Sequence, residues 1–370
     1  MKILYVTTIG ITMGFFKSLI RELIDEGHTV DIATNENYSN VPGCYREWGC
    51  KVFPISTSRF PFSIGNIKAT KEIKAIANNY DIVHCHTPLA GMATRFACRS
   101  LRKYGIRVIY TAHGFHFYKG SPLKNWLLYY PIEVICSYWT DVLITINKED
   151  YELAKRKMKA KIITYIAGVG VDTRMFSDIV IDKDKKREEL GIPRSAKMIL
   201  SVGELNKNKN HQIVIKALGR LHNSNIHYVI AGIGDEKRKL EILAKEKSVN
   251  LHLLGYRKDV AELYKCADLY VHPSLREGLP VALMEAMAAG LPCIASDTRG
   301  CRDLILDRGL LFDPNNPKEV LKNIQLVYKN RESNIYKTDM QKFSISYTNV
   351  KMKDVYLNDC ATKDEDIITL

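Results

Sequence analysis

Short, unbroken apolar runs alternate with longer amphipathic stretches along almost the whole chain. The alternation stops once and starts again. In the first series the runs fall at 2–7 (KILYVT), 29–34 (TVDIAT), 51–55, 81–85 (DIVHC), 107–111 (RVIYT) and 141–146 (DVLITI). Runs that are apolar throughout, rather than at every second residue, belong to parallel strands covered on both faces. The stretches between them have helical spacing. FFKSLIRELIDEG puts Phe16, Leu19, Ile20, Leu23 and Ile24 on one face and stops at Gly27. Residues 168–196, GVGVDTRMFSDIVIDKDKKREELGIPRSA, break the pattern with charge and turn residues. It resumes with KMILSV (197–202), HYVIAG (227–232), LHLLG (251–255), DLYVH (268–272) and PCIAS (292–296).

Two consecutive βαβ arrays imply an α/β protein of two doubly wound, Rossmann-like domains. The expected division is 1–170 for the first domain, 171–195 for a linker and 196–345 for the second. A helix near 343–358 and a frayed tail make up 346–370. The chain's 370 residues suffice for two domains of ordinary size. Ligands of such sheets sit beyond the carboxyl ends of the strands, so two facing domains are expected to enclose a central cleft.

Composition narrows the function classes. No apolar run reaches the roughly 18–20 residues of a membrane span, and no signal-peptide pattern precedes the first strand. The nine cysteines are odd in number, scattered and without a C-x-x-C pair, which argues against a disulfide framework or zinc site and fits a cytoplasmic protein. Net charge is +13 and uneven: residues 1–170 hold 22 Lys+Arg against 13 Asp+Glu. Such a surplus suits an anionic ligand, an anionic membrane or simple solvation. No recognition helix, RNA-binding motif or zinc module supports a nucleic-acid partner.

The most informative stretch is 272–296, HPSLREGLPVALMEAMAAGLPCIAS. A strand runs into a loop, Gly278 permits a turn, Pro280 suits a helix start and Gly290 a helix stop. Free amides near 278–282 would then form an anion site at a helix N-terminus. Glu277 alone reads as dipole compensation and Glu285 as part of an exposed face. Their company argues otherwise. Ala282, Ala286, Ala288 and Ala289 imply close packing, and a buried carboxylate needs donors such as sugar hydroxyls.

This stretch is similar to the E-x7-E signature of retaining glycosyltransferases of GT-B fold, family 4, and the resemblance covers almost the whole chain. MGFFKSLIRELIDEGHTVDIAT, DIVHCHTPLAG, VIYTAHGF, GVGVDTRMF and SVGELNKNKNHQIVIKAL match the family's habits in that order. The nearest likeness is to the branch that builds capsular and exopolysaccharide repeat units in bacteria.

The resemblance implies roles. Glu285 would bind a nucleotide's ribose hydroxyls, and Glu277 would orient the donor sugar. Amides from Gly278 through Leu279 and Val281 to Ala282 would hold the sugar and diphosphate. Lys209, on residues alone a solvated lysine of the loop NKNKN, would neutralise the diphosphate as the glycosidic bond breaks. Gly14, otherwise a simple helix start, would let backbone approach the diphosphate. His113 would approach the donor sugar. His84, His86 and His116, at the same sheet end, are acceptor-side candidates. Tyr256 and Arg257 fall where the base is held. The chain departs from the pattern at Glu204, in SVGEL, where most relatives place a phosphate-binding arginine. Either Glu204 serves another contact, or Lys207, Arg257 or Arg276 replaces the missing charge.

No cofactor is implied, and no D-x-D motif stands beside a phosphate site, so the expected chemistry is metal-independent. Expected partners are a nucleotide-sugar donor, by family habit a UDP-sugar such as a UDP-N-acetylhexosamine, and an oligosaccharide or polyprenyl-diphosphate-linked acceptor. The stretches 58–74 and 117–130 combine aromatics with lysines, and 93–107 is basic with apolar interleaving; they could rest on the inner face of an anionic membrane, or be ordinary amphipathic helices whose apolar face is core. A sugar-nucleotide epimerase and a non-catalytic nucleotide- or nucleic-acid-binding protein are the alternatives.

Overall fold

The computed structural model describes residues 1–60, 63–221, 223–305, 310–330 and 339–358. The expected frayed tail, 361–370, lies outside the described residues. Thirteen strands form two separate parallel sheets among them. The first holds β1 (Lys2–Ile9), β2 (Thr29–Asn35), β3 (Val52–Pro54), β4 (Ile82–His86), β5 (Arg107–Ala112), β6 (Val142–Thr145) and β7 (Ile162–Tyr165), in the order β3-β2-β1-β4-β5-β6-β7. The second holds β8 (Lys197–Val202), β9 (Ile226–Ala231), β10 (Asn250–Leu253), β11 (Leu269–His272), β12 (Cys293–Ser296) and β13 (Leu311–Phe312), in the order β10-β9-β8-β11-β12-β13.

Both sheets are doubly wound. The order reverses between β1 and β4 and again between β8 and β11, so each sheet has one switch point where adjacent strands send their loops apart. The central strands are buried along their length, as continuous apolar runs require. In the first sheet, Leu4, Val6, Val83 and Val108 pack towards one helical layer and Ile3, Tyr5, Ile32 and Ile109 towards the other.

The chain divides into two compact units, 1–169 with 346–370, and 170–345. Residues 171–195, read as a linker, carry the helices Thr173–Ser177 and Lys183–Glu189 and fall within the second unit. The helix Ile345–Leu357 returns to the first. Its Tyr356 hydroxyl lies 2.5 Å from that of Tyr5 and 2.7 Å from His84 Nδ1, and Lys353 meets Glu22 and Glu26 at 2.9 Å each. Arg107 donates to the carbonyls of Val355 and Tyr356, satisfying groups a helix end leaves open.

Candidate active site

At the second switch point the loops after β8 and β11 lie side by side. The Leu275 amide donates to the Asn208 carbonyl at 2.8 Å, and Asn208 Nδ2 donates to the Arg276 carbonyl at 3.1 Å. These ties bring Lys209 Nζ to 2.7 Å from Glu277 Oε1, across 68 residues of sequence. His272, the last residue of β11 and fully enclosed, puts Nε2 3.1 Å from the same oxygen. A carboxylate can only accept, so His272 Nε2 carries the proton, and Nδ1 accepts from the Tyr270 hydroxyl at 3.2 Å. Burial pushes the Glu277 carboxyl up, but His272 and Lys209 together hold it well below the usual carboxylate range. Burial keeps His272 below its ordinary value despite Glu277. Glu277 is thus an ionised carboxylate fixed through Oε1, and Oε2 accepts nothing from the described residues.

The Glu277–Leu279 turn is supported from behind. Arg299, buried, donates Nε to the Glu277 carbonyl at 3.2 Å. A Cβ at Gly300 would stand 2.2 Å from the Gly278 carbonyl oxygen, so only glycine lets the helix Arg299–Leu304 press against the turn. The helix Val281–Ala288 follows Pro280, and no side chain caps its N-terminus. Leu279 points into the core, leaving its backbone for any ligand, and Val281 is half-buried. On the second turn Glu285 Oε2 accepts from the Tyr264 hydroxyl at 3.0 Å. Burial pushes Glu285 up to about 7, with Tyr264 drawing it partly back. The two glutamates therefore differ: one is held ionised by partners, the other is left short of donors.

Other expected residues are less engaged. Glu204 is exposed, and among the described residues its carboxylate accepts from Asn206 Nδ2 at 2.8 Å. Of the cations that could replace the missing arginine, Arg257 is committed to Asp259, which also takes Lys186 at 2.6 Å. Lys207 and Arg276 are exposed and make no ion pair among the described residues. Tyr256 is an exposed ring.

In the first unit, His86 ends β4 and His113 follows β5, with His86 Nδ1 3.2 Å from His113 Nε2. His116 is half-buried against Tyr129, ring centres 4.5 Å apart. His84 is a correction to the expected acceptor side. It has no exposed surface, and its nitrogens are taken by Tyr356 and by Thr111 Oγ1 at 2.8 Å, so it belongs to the core. Gly14 is exposed, with open space where a Cβ would stand. Gly10 is the glycine the fold requires, since a Cβ there would meet the Ser39 carbonyl at 2.4 Å. His272, Tyr264 and Arg299 were not singled out from the sequence. Only the strand-to-loop position of His272 in VHPS and the Arg-Gly of SDTRG hinted at them.

Known proteins resemble the chain along most of its length. The family model for glycosyl transferase 4-like domains matches residues 2–147, and that for glycosyl transferases group 1 matches 182–342. EpsD of Bacillus subtilis (strain 168), named as a glycosyltransferase, is 37% identical over 333 residues, 85% of this chain and 87% of that protein. The chain belongs to the group 1, family 4 glycosyltransferases. The transferase is also 29% identical, over 322 residues, to an Escherichia coli enzyme named UDP-Gal:alpha-D-GlcNAc-diphosphoundecaprenol alpha-1,3-galactosyltransferase, covering 79% of this chain and 81% of that one. Its fold is GT-B. The structure of Anabaena Alr3699/HepE in complex with UDP superposes with a TM-score of 0.79 at 18% identity, over 96% of this chain and 99% of that one. Family membership decides for a retaining transferase over the epimerase and the non-catalytic alternatives.

Proposed function

We propose that the transferase moves a sugar from a UDP-sugar to a glycan carried on a polyprenyl diphosphate, in the synthesis of a surface polysaccharide, without a metal ion. The observation that carries this reading is the Lys209–Glu277 contact of 2.7 Å at the second switch point. It sets a cation and a fixed carboxylate beside an uncapped helix N-terminus. The Escherichia coli relative's name specifies UDP-galactose and a diphosphoundecaprenol acceptor, and the Anabaena structure holds UDP.

In this reading Glu285 accepts hydrogen bonds from the ribose diol and Glu277 Oε2 accepts one from a donor-sugar hydroxyl. Lys209 faces the diphosphate. The bond from sugar C1 to the β-phosphate oxygen breaks and its electron pair stays on UDP. The acceptor oxygen bonds to C1 on the same face, and its proton passes to the leaving phosphate. Charge grows on that phosphate as the bond breaks, which is where Lys209 and the helix amides act.

A membrane-bound acceptor suits the outer surface of the first unit. Phe60, Ile64, Ile67, Leu123 and Leu127 are all more than 60% exposed, with Lys68, Lys71, Lys119 and Lys124 exposed among them. The segment 93–107 offers less charge than its sequence suggests, because Arg95 is buried on Glu133 at 2.8 Å. No described helix is long and apolar enough to cross a membrane. Sedimentation with vesicles rich in phosphatidylglycerol should capture the protein at low salt and release it at high salt. Equal capture by neutral vesicles would remove the electrostatic part of the proposal.

Calorimetry tests the donor site first. UDP should bind more tightly than GDP, ADP or CMP, and Glu285→Ala should weaken it by about 1–3 kcal/mol, the cost of a lost buried partner. Equal binding by the variant would detach Glu285 from the nucleotide.

A further inference from the structure

The pair His86–His113 has a feature that constrains its protons. His86 Nδ1 faces His113 Nε2 at 3.2 Å, while His86 Nε2 is buried and has no hydrogen-bond partner among the described residues. The His86 ring is packed among other rings. It lies 4.4 Å from the Phe16 ring, stacks on Tyr5 at 5.5 Å and sits 4.1 Å from His84. Its backbone is held too. The next residue, Thr87, is β-branched yet sits at φ +66°, and its hydroxyl donates to the His86 carbonyl. His84 cannot exchange protons with the pair, since both its nitrogens are engaged elsewhere.

All three rings are neutral near pH 7. Burial lowers His84 to about 3 and His113 to about 4, and takes His86 well below its ordinary value. A neutral imidazole has a single N–H. If His113 donated from Nε2 to His86, the proton of His86 would have to sit on Nε2, as a buried donor with nothing to accept it. If His86 donates from Nδ1 to His113, the buried Nε2 is only an unused lone pair. Orphaned buried N–H groups are rarer than under-satisfied acceptors. The second arrangement therefore holds, and the one proton of His113 lies on Nδ1. That atom has no protein partner among the described residues, and the residue is half-buried.

We infer that His86 is a positioning residue that locks His113 in its Nδ1–H tautomer, so that His113 offers a ligand oxygen a hydrogen-bond donor and not a base. The tautomer stands independently of the reaction; naming the oxygen as one on a sugar or phosphate rests on the transferase reading. In that reading His113 cannot take the acceptor's proton, which leaves that proton to the departing phosphate.

Nuclear magnetic resonance on the full chain, with ring nitrogen-15 histidine, reads the tautomer directly. The His113 signals are assigned by their loss in His113→Asn. In the wild type, His113 Nδ1 should give a protonated, pyrrole-type signal and Nε2 a pyridine-type one. In His86→Leu the His113 pattern should move towards the Nε2–H form that histidine ordinarily favours in water. His86→Asn, whose amide nitrogen stands in for Nδ1, should restore it. A wild-type His113 protonated on Nε2 overturns the inference, and needs no variant to fold. So does an unchanged pattern in a folded His86→Leu.

UDP release from UDP-galactose or UDP-N-acetylglucosamine, with a polyprenyl-diphosphate-linked N-acetylglucosamine as acceptor, supplies the functional arm. His113→Asn, which keeps a donor at the Nδ1 position, should retain more turnover than His113→Gln, which moves it to the Nε2 position. The reverse order overturns the donor role. Absence of UDP release by the wild type, with the tautomer as expected, would count against the transferase reading and not against the His86–His113 lock.

Discussion

The two sheets reverse strand order in the same way, but their switch points carry opposite chemistry. Beside β1 and β4 the side chains are neutral histidines among aromatic rings: His86 against Phe16 and Tyr5, His113 beyond them. Beside β8 and β11 they are paired charges: Lys209 on Glu277, with Glu285 half-buried against Tyr264. Topology supplies only the place where loops diverge. What that place can bind is set by a few residues at the strand ends. In the proposed reading, a diphosphate whose charge grows during reaction suits the charged point, while the uncharged one offers hydrogen bonds without a net charge.

The largest effect expected from this contrast is at Lys209. Lys209→Ala should lower kcat by about 10²–10³, or roughly 3–4 kcal/mol, the range for removing one group aimed at developing charge. KM for the donor should change much less, because charge on the leaving oxygen grows mainly in the transition state. Steady-state kinetics with a UDP-sugar separates the two constants. A rise in KM with kcat unchanged would mean that Lys209 merely helps hold the donor, and the charged switch point would lose its catalytic distinction.

Titration should sharpen the comparison at a smaller scale. Glu285 has an ordinary value of 4.5 and stands at about 7 in the folded chain. Between those values the folded chain keeps a proton that the unfolded chain has lost. Stability therefore falls as pH rises through that window and stays reduced above it. Glu285→Gln removes the penalty and should stabilise the second unit by up to about 3 kcal/mol at pH 8, and by almost nothing at pH 4.5. Glu277, held low, has the opposite sign: its contribution is present above 4.5 and is lost as pH falls below it. Denaturant-dependent hydrogen exchange of peptides from 260–290 at both pH values checks this. The same gain at both would place the Glu285 effect in packing instead of ionisation.

Central strands were legible in the sequence because burial on both faces leaves unbroken apolar runs. β7 was not. Its four residues are all half-buried, and the lysines of KRKMKAK just before it mask the run. β13 has two residues, too few for any pattern. The pairing of Lys209 with Glu277 could be expected only through resemblance, since 68 residues separate them and the local signal of each is that of a solvated charge. His272 looked like a strand residue, and its role appears only when Tyr270 and Glu277 are seen on its two nitrogens. His84 misled for the same reason in reverse. From DIVHCH alone, nothing shows that the residue satisfying it lies 272 positions away.

That distant residue gives the smallest effect and the last contrast. The second unit is one continuous stretch, 170–345, whereas the first is completed by the helix that carries Tyr356. Tyr356→Phe keeps the ring but leaves the Tyr5 hydroxyl without its neighbour and His84 Nδ1 without a partner, both buried. The expected cost is about 1–2 kcal/mol, that of buried polar groups left unmade. It should appear as faster exchange of amides in β1, β4 and β5, while β8, β11 and β12 keep their protection. Tyr5→Phe should cost less, because His84 then still holds Tyr356. Adding it to Tyr356→Phe should bring little further loss, since the two hydroxyls serve each other. If Tyr356→Phe loosened both sheets equally, the two units would share one cooperative transition, and the closing helix would stabilise the molecule as a whole rather than the histidine-lined half alone.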